Sequence, residues 1–281
     1  MSLLAAALLA CASPVFAQAT GTNPPPLPAE VDLNLINLPT TLSLQRHRGY
    51  FRLTHRFARD LRRGTFSDLA SSLFSLDDGA VIGLEYRFAI TGAIHAGATR
   101  SMLSKTIQTF VRWDGVRQAE SRPVSVSAMV SYEGLNNLRD HHQPGVAVTV
   151  SRTMGDRIAV YATPAFVQNT QAVDTIAGHP DHDGIEGSEI DEHADHDSTW
   201  LAGLGTRVRF SRSGYLVAEF TPRLAGYDPN RGVWGVGLEK RTGGHTLQLN
   251  ITNSFGTTLG QLARGGSAHD VYLGFNITRK F

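Results

Sequence analysis

The sequence predicts an all-β protein, a transmembrane antiparallel up-and-down β-barrel of about 12 strands. Three observations predict it. The last stretch, Asp270 to Phe281, places Val271, Leu273, Phe275, Ile277 and Phe281 on one face of an extended strand, and Tyr272, Gly274, Asn276, Thr278 and Lys280 on the other. That period of two marks a strand with one apolar and one wet side. Similar segments recur along the chain, and their aromatic residues fall into two groups, one at each end of the strands. No run of about 18 apolar residues occurs inside the chain, which excludes a helical membrane protein. The hydrophobic content of 41% suits a barrel in which every second residue meets lipid.

The amino terminus reads as an export signal. Ser2 to Phe16 is apolar, and Val15-Phe16-Ala17 supplies small residues for cleavage, so 1–17 is expected to be a signal peptide. No Lys or Arg precedes the apolar run, which departs from the usual pattern. Leu8-Leu9-Ala10-Cys11 offers an alternative lipidation site at Cys11, the one cysteine in the sequence. Residues 18–47 are expected to form a periplasmic leader, stiffened by Pro24, Pro25, Pro26 and Pro28. Short alternating pieces within Glu30 to Gln45 leave two placements open, the barrel mouth or elsewhere.

The barrel is expected over 48–281. Its strands are Tyr50–Phe57, Ala80–Phe88, Ala93–Ser101, Lys105–Trp113, Pro123–Glu133, Gly145–Arg152, Arg157–Gln168, Thr199–Phe210, Tyr215–Leu224, Gly232–Arg241, His245–Phe255 and the terminal strand. An even count returns both ends to the periplasm. The short turns at Ile90-Thr91-Gly92, Met154-Gly155-Asp156, Ser211–Gly214 and Thr242–Gly244 then fall on the periplasmic side, with longer loops outside. Ser101–Ser104 and Asp114–Arg122 break that rule. Phe57, Tyr132, Phe166, Trp200, Trp234, Phe255 and Tyr272 form one aromatic girdle; Phe51, Phe88, Trp113, Phe210, Tyr215 and Phe281 form the other. A soluble β-sandwich also alternates, but it gives no reason for two girdles.

The wet faces carry the candidate lumen residues: Arg52, Arg56, Glu85, Arg87, Arg112, Glu133, Arg207, Arg209, Glu219, Arg223, Glu239 and Arg241, together with Arg157. Two readings remain open, a positively biased interior that favours anionic solutes, and paired charges that fill a narrow barrel.

The net charge of +1 hides an uneven distribution. The outer loop 170–198 holds six Asp, three Glu, four His and no Lys or Arg. The unit His-x-Asp-His-Asp occurs twice, as His179, Asp181, His182, Asp183 and as His193, Asp195, His196, Asp197. Imidazole and carboxylate together suit zinc, nickel or copper (Zn, Ni or Cu), so these residues are candidate metal ligands. A solvated acidic loop is the plainer reading.

Phe66 to Leu76 has helical apolar spacing, either as a constriction in the mouth or as packing on the rim. Gly243-Gly244-His245 reads as a tight turn. Gly265-Gly266-Ser267-Ala268-His269 places Ser267 and His269 close in an outer loop without forming a Gly-x-Ser-x-Gly elbow. Nucleotide and nucleic-acid signatures are absent from the sequence.

The stretch from Glu239 through Thr242-Gly243-Gly244-His245-Thr246-Leu247-Gln248-Leu249 to Ser254, followed by Gly274-Phe275-Asn276-Ile277-Thr278-Arg279-Lys280-Phe281, resembles a family of bacterial β-barrel proteins named only as a domain of unknown function. His55-Arg56-Phe57, Phe74 to Ala80, Tyr86 to Thr91 and Arg117-Gln118 are similar to it as well. The resemblance covers roughly residues 48 to 281 and implies an outer-membrane barrel; it brings no substrate or catalytic residues. The expected function is a narrow channel for passive or facilitated passage of small solutes, and the protein is not expected to be an enzyme. Alternatives are a surface metal-binding barrel using loop 174–197, and outer-leaflet lipid modification by Ser267 and His269. The expected partners are outer-membrane lipid and the barrel-assembly machinery, engaged through the terminal strand ending at Phe281.

Overall fold

The computed structural model describes residues 27–72, 79–170, 198–226 and 231–281. Thirteen strands lie in one antiparallel sheet: β1 Gly49–Phe57, β2 Ala80–Ala89, β3 Ile94–Ser101, β4 Ile107–Val116, β5 Ser125–Gly134, β6 Asp140–Met154, β7 Ile158–Gln168, β8 Ser198–Arg209, β9 Gly214–Thr221, β10 Arg223–Gly226, β11 Val233–Thr242, β12 His245–Thr252 and β13 Tyr272–Lys280. Apart from β10, which pairs with β8, each pairs with its sequence neighbour, β9 reaching both β8 and β11, and β13 pairs with β1 from Tyr50↔Lys280 to Arg56↔Gly274, so the sheet closes. β9 and β10 are two halves of one stave. Pro222 separates them, because it has no N–H to give the ladder, and the β10 register on β8 shifts between Arg223 and Ala225. The protein is therefore a closed twelve-stave barrel. Closure satisfies both sheet edges, which lipid requires.

Period-two alternation sorts the side chains. Leu84, Val111, Val130, Val146, Leu204, Leu216, Leu238 and Leu249 point outward and are exposed. A continuous apolar belt of this kind needs lipid around it. Tyr86, Phe88, Trp113, Phe210 and Phe281 flank it at one end, and Tyr132 and Trp200 at the other. Three girdle assignments change. Tyr215 is fully buried and turns inward, because its neighbour Leu216 takes the lipid face. Tyr272 also lies on the inward face, its ring tilted against that of Phe255 at 4.0 Å between centroids in the outer loops. Phe57 keeps its outward register but is covered by His55 and Phe275.

Strand ends move by a few residues: β4 runs on to Val116 and β12 stops at Thr252, short of Phe255. β6 starts at Asp140, earlier than Gly145, after a turn in which Asn136, Asn137 and Leu138 all have positive φ. The periplasmic hairpin between β11 and β12 turns on Gly243 at φ +54°, with Thr242 opposite His245. His245 is thus a turn residue.

The segment 27–47 is not a periplasmic leader in its described part. It runs inside the barrel. Residues 33–40 fold back as a hairpin: Asn34 bridges Pro39, Leu35 N–H donates to Leu38 O at 2.8 Å, and Thr40 N–H donates to Leu33 O at 2.9 Å. Leu33, Leu35, Ile36 and Leu38 are all 2% exposed or less. From the opposite end, the loop after β12 sends in a short helix, Leu259–Ala263, with every residue buried. Its first turn is held by a capping box between Thr258 and Gln261. Leu262 packs with Leu35, Leu38, Tyr161, Val217 and Val233, so hairpin and loop helix meet in mid-barrel. Of the two placements open for Phe66–Leu76, the structure shows the rim: Phe66–Ser71 form a helix with no buried residue, and 73–78 lie outside the described residues.

Candidate functional site

The interior has two sectors. One is apolar and runs from β7 to β11 through Ala159, Tyr161, Val217 and Val233. Glycines make room there. A Cβ on Gly203 would lie 2.4 Å from Leu38, on Gly205 2.2 Å from Leu35, and on Gly235 2.9 Å from Ile36. The other sector is charged, and it holds the hairpin by its backbone.

The hairpin tip sits on one carboxylate. The Ile36, Asn37 and Leu38 N–H groups all donate to Glu219 at 2.9–3.0 Å. The outward carbonyls are taken by cationic and amide donors. Arg52 and Asn276 donate to Ile36 O, Gln248 to Leu35 O at 3.1 Å, and Arg207 to Asn34 O at 2.7 Å. Side-chain amides are engaged too: Arg87 donates to Asn34 Oδ1 at 2.7 Å and Arg56 to Asn37 Oδ1 at 3.0 Å. Nearer the periplasmic end, Arg241 and Lys280 both donate to Val31 O at 2.8 Å, Thr278 donates to Asp32 at 2.5 Å, and Tyr215 donates to Pro28 O at 2.9 Å. Leu44 N–H donates to His95 Nε2 at 3.3 Å. Buried polar groups need such partners, and the side chains named here come from eight staves.

The charges also pair among themselves. Glu85 accepts from Arg52 at 3.4 Å and from Arg87; Arg112 donates to Asp114 at 2.7 Å; Arg207 donates to Glu239 at 3.1 Å; Arg209 pairs with Asp156. Glu133 faces the loop helix, accepting from Gly260 N–H at 3.1 Å and lying 3.6 Å from Arg264. Arg223 donates to Arg231 O at 3.0 Å at the loop level, above the hairpin. Arg157 is a correction: it sits in the exposed β6–β7 turn, because that turn displaces it from the inward register.

Between hairpin and loop helix a cavity of about 30 Å³ remains, bordered by Asn34, Asn37, Arg52, Glu85, Arg87 and Leu259. That is room for about two water molecules.

The metal-ligand candidates His179, Asp181, His182, Asp183, His193, Asp195, His196 and Asp197 lie outside the described residues, as does the signal segment 1–17. Among the described residues no group of three or more His, Cys, Asp or Glu could hold a metal ion. Ser267 donates its hydroxyl to Asp270 at 2.7 Å, and its contact with His269 runs through the His269 backbone N–H at 3.2 Å. The geometry is a loop turn, not a nucleophile–base pair.

Several interior residues escaped the sequence reading. Asp114 was assigned to a periplasmic turn, yet it is buried against Arg112. Gln248 and Asn276 are short-range neutral amides, and alternation alone gives them no distinguishing mark. The signal that did exist was the inward run Leu201, Gly203 and Gly205 on β8, unsuited to a water-filled wall.

A closed antiparallel barrel with an apolar lipid belt and a polar interior defines a bacterial outer-membrane β-barrel. The chain belongs to the family described as Membrane bound beta barrel domain (DUF5777), whose pattern matches residues 32–281 and so includes the hairpin. No curated protein matches the chain in sequence. Among solved structures it is similar to the KdgM porin in complex with disordered oligogalacturonate, at TM-score 0.50 and 9% identity over 83% of this chain and 99% of that one. It is also similar to the COG4313 outer membrane channel from Pseudomonas putida F1, at TM-score 0.47 and 14% identity over 90% and 100% of the two chains. A third is Omp33 from Acinetobacter baumannii, at TM-score 0.43 and 9% identity over 86% and 100%. The first likeness is one of fold.

Proposed function

We propose that the protein is an outer-membrane channel for small solutes, closed in this state by its own amino-terminal hairpin. One observation carries the reading: the hairpin is separate from the wall and lies on a hydrophilic ladder of side chains, meeting the loop helix from the other end. Magnitudes favour a removable closure. Burying Leu33, Leu35, Ile36 and Leu38 contributes about 1.5–3 kcal/mol each. Ordering the backbone over 28–44 opposes this at about 1–2 kcal/mol per residue, which is the larger total. The wall hydrogen bonds therefore set the occupancy, and the Glu219 carboxylate holds more hairpin N–H groups than any other side chain described above.

The test is single-channel recording of the full chain in a planar bilayer beside Glu219→Ala. Removing the carboxylate leaves three N–H groups without their acceptor, at a cost of about 1–3 kcal/mol each for those that stay buried. Glu219→Ala is expected to open often where the parent opens rarely. Silence of both, with correctly folded barrels in the membrane, would remove the channel reading and leave a permanently filled barrel.

A further inference from the structure

We infer that the solutes this barrel admits are anionic, small carboxylated or phosphorylated molecules, and that they bind at the guanidinium cluster Arg52, Arg56, Arg87 and Arg207 now covered by the hairpin. The inference rests on the channel reading above and names its substrate class.

The first support is a surplus of donors. All four side chains are 4% exposed or less. Yet Arg52 Nε, Arg56 Nε, Arg87 Nη1 and both Nε and Nη1 of Arg207 have no acceptor among the described residues. A buried guanidinium N–H without a partner is costly, and its fixed fork geometry suits a carboxylate or phosphate. The second support is what these arginines hold instead. Their hairpin contacts are neutral oxygens: Ile36 O, Asn34 O, Asn34 Oδ1 and Asn37 Oδ1. An anionic oxygen makes a bond roughly twice as strong as a neutral one. An anion can therefore take the same donors when the hairpin withdraws.

The third support is charge. Glu85 serves two of the arginines and Glu239 one. Among the described residues Arg56 bonds only amide and carbonyl oxygens. Withdrawal frees Glu219 as well, so four guanidiniums then face three carboxylates. Around the whole interior, Arg112, Arg209, Arg241 and Lys280 add four positive groups, and Asp114, Glu133 and Asp156, the partner of Arg209, add three negative ones. The lumen stays net positive without the hairpin, and it loses the negative Asp32 that the hairpin segment brings. A low-dielectric wall focuses such a field.

The experiment is the reversal potential of openings in an asymmetric KCl gradient, recorded on the full chain and on Glu219→Ala. Anion selectivity is expected. Citrate and inorganic phosphate, added separately, should each reduce the chloride current; a response to one alone assigns the carboxylate or the phosphate arm. Arg52→Gln with Arg207→Gln should lower the anion-to-cation permeability ratio several-fold, and Arg157→Gln in the exposed turn should leave it unchanged. Should the double variant fail to fold, Arg56→Gln, which keeps an amide donor toward Asn37, carries the same expectation. Openings that select cations, or neither ion, would overturn the inference while the channel reading stands. No openings in either chain would overturn both.

Discussion

A Cβ on Gly203 would meet Leu38 at 2.4, 2.8 and 3.2 Å, so the whole leucine side chain rests in the space that this glycine leaves. Glycine is required here for close approach rather than for its backbone angle. Gly203→Leu is expected to displace the hairpin, since overpacking costs about 1–3 kcal/mol. At about 1.4 kcal/mol per tenfold, the withdrawn population rises about five- to a hundredfold. The readout is maleimide labelling of Ala29→Cys in a Cys11→Ser background, Ala29 being 2% exposed while the segment is seated. Unchanged labelling would mean that Leu38 finds another rotamer and that Gly203 does not set the fit. The same residue-level view explains the charged ladder. Each arginine was legible as inward-facing by alternation, but its partner was not, because a partner depends on what enters the lumen.

At the scale of elements, two short pieces decide whether the barrel is open: the hairpin over 33–40 and the loop helix Leu259–Ala263. The helix has only five residues, too few to stand without its cap and its burial. The capping box places Thr258 Oγ1 on Gln261 N–H at 3.3 Å and Gln261 Oε1 on Thr258 N–H at 3.3 Å. Thr258→Ala is expected to cost about 1 kcal/mol. Amide exchange over 259–263 should then quicken about fivefold, while the strands stay protected. If exchange there does not change, burial of Leu259 and Leu262 rather than the cap holds the helix. The sequence reading left this stretch within an outer loop, although Thr258-Leu259-Gly260-Gln261 carries the residues of a capping box; its destination in the lumen has no local mark at all. The hairpin was less legible still. Val31, Leu33 and Leu35 alternate as a strand does, and no local feature says that all faces will be covered.

The whole molecule closes where its ends meet. Gly49 N–H donates to Phe281 O at 2.9 Å, and Phe281 N–H to Gly49 O at 3.0 Å, next to the last register pair of β1 and β13. The Phe281 ring stays exposed on the lipid side, 6.2 Å from Tyr86. Phe281→Ala keeps both backbone bonds and removes the aromatic group. If the terminal aromatic serves the assembly machinery, this variant should reach the outer membrane at reduced yield yet refold from urea like the parent. Equal yield in cells would show that the seam alone suffices.

The sequence by itself determined the barrel: about twelve staves and, for most strands, which face meets lipid. These follow from a period of two, which is a local property of extended backbone and needs no distant partner. Only the tertiary structure decided what fills the lumen. Ile36 meets Glu219 across 183 residues of chain and Asn276 across 240, and no periodicity reaches that far. The apolar residues of the hairpin and the inward glycines of β8 and β11 are each ambiguous alone; they acquire meaning when closure brings them to one place.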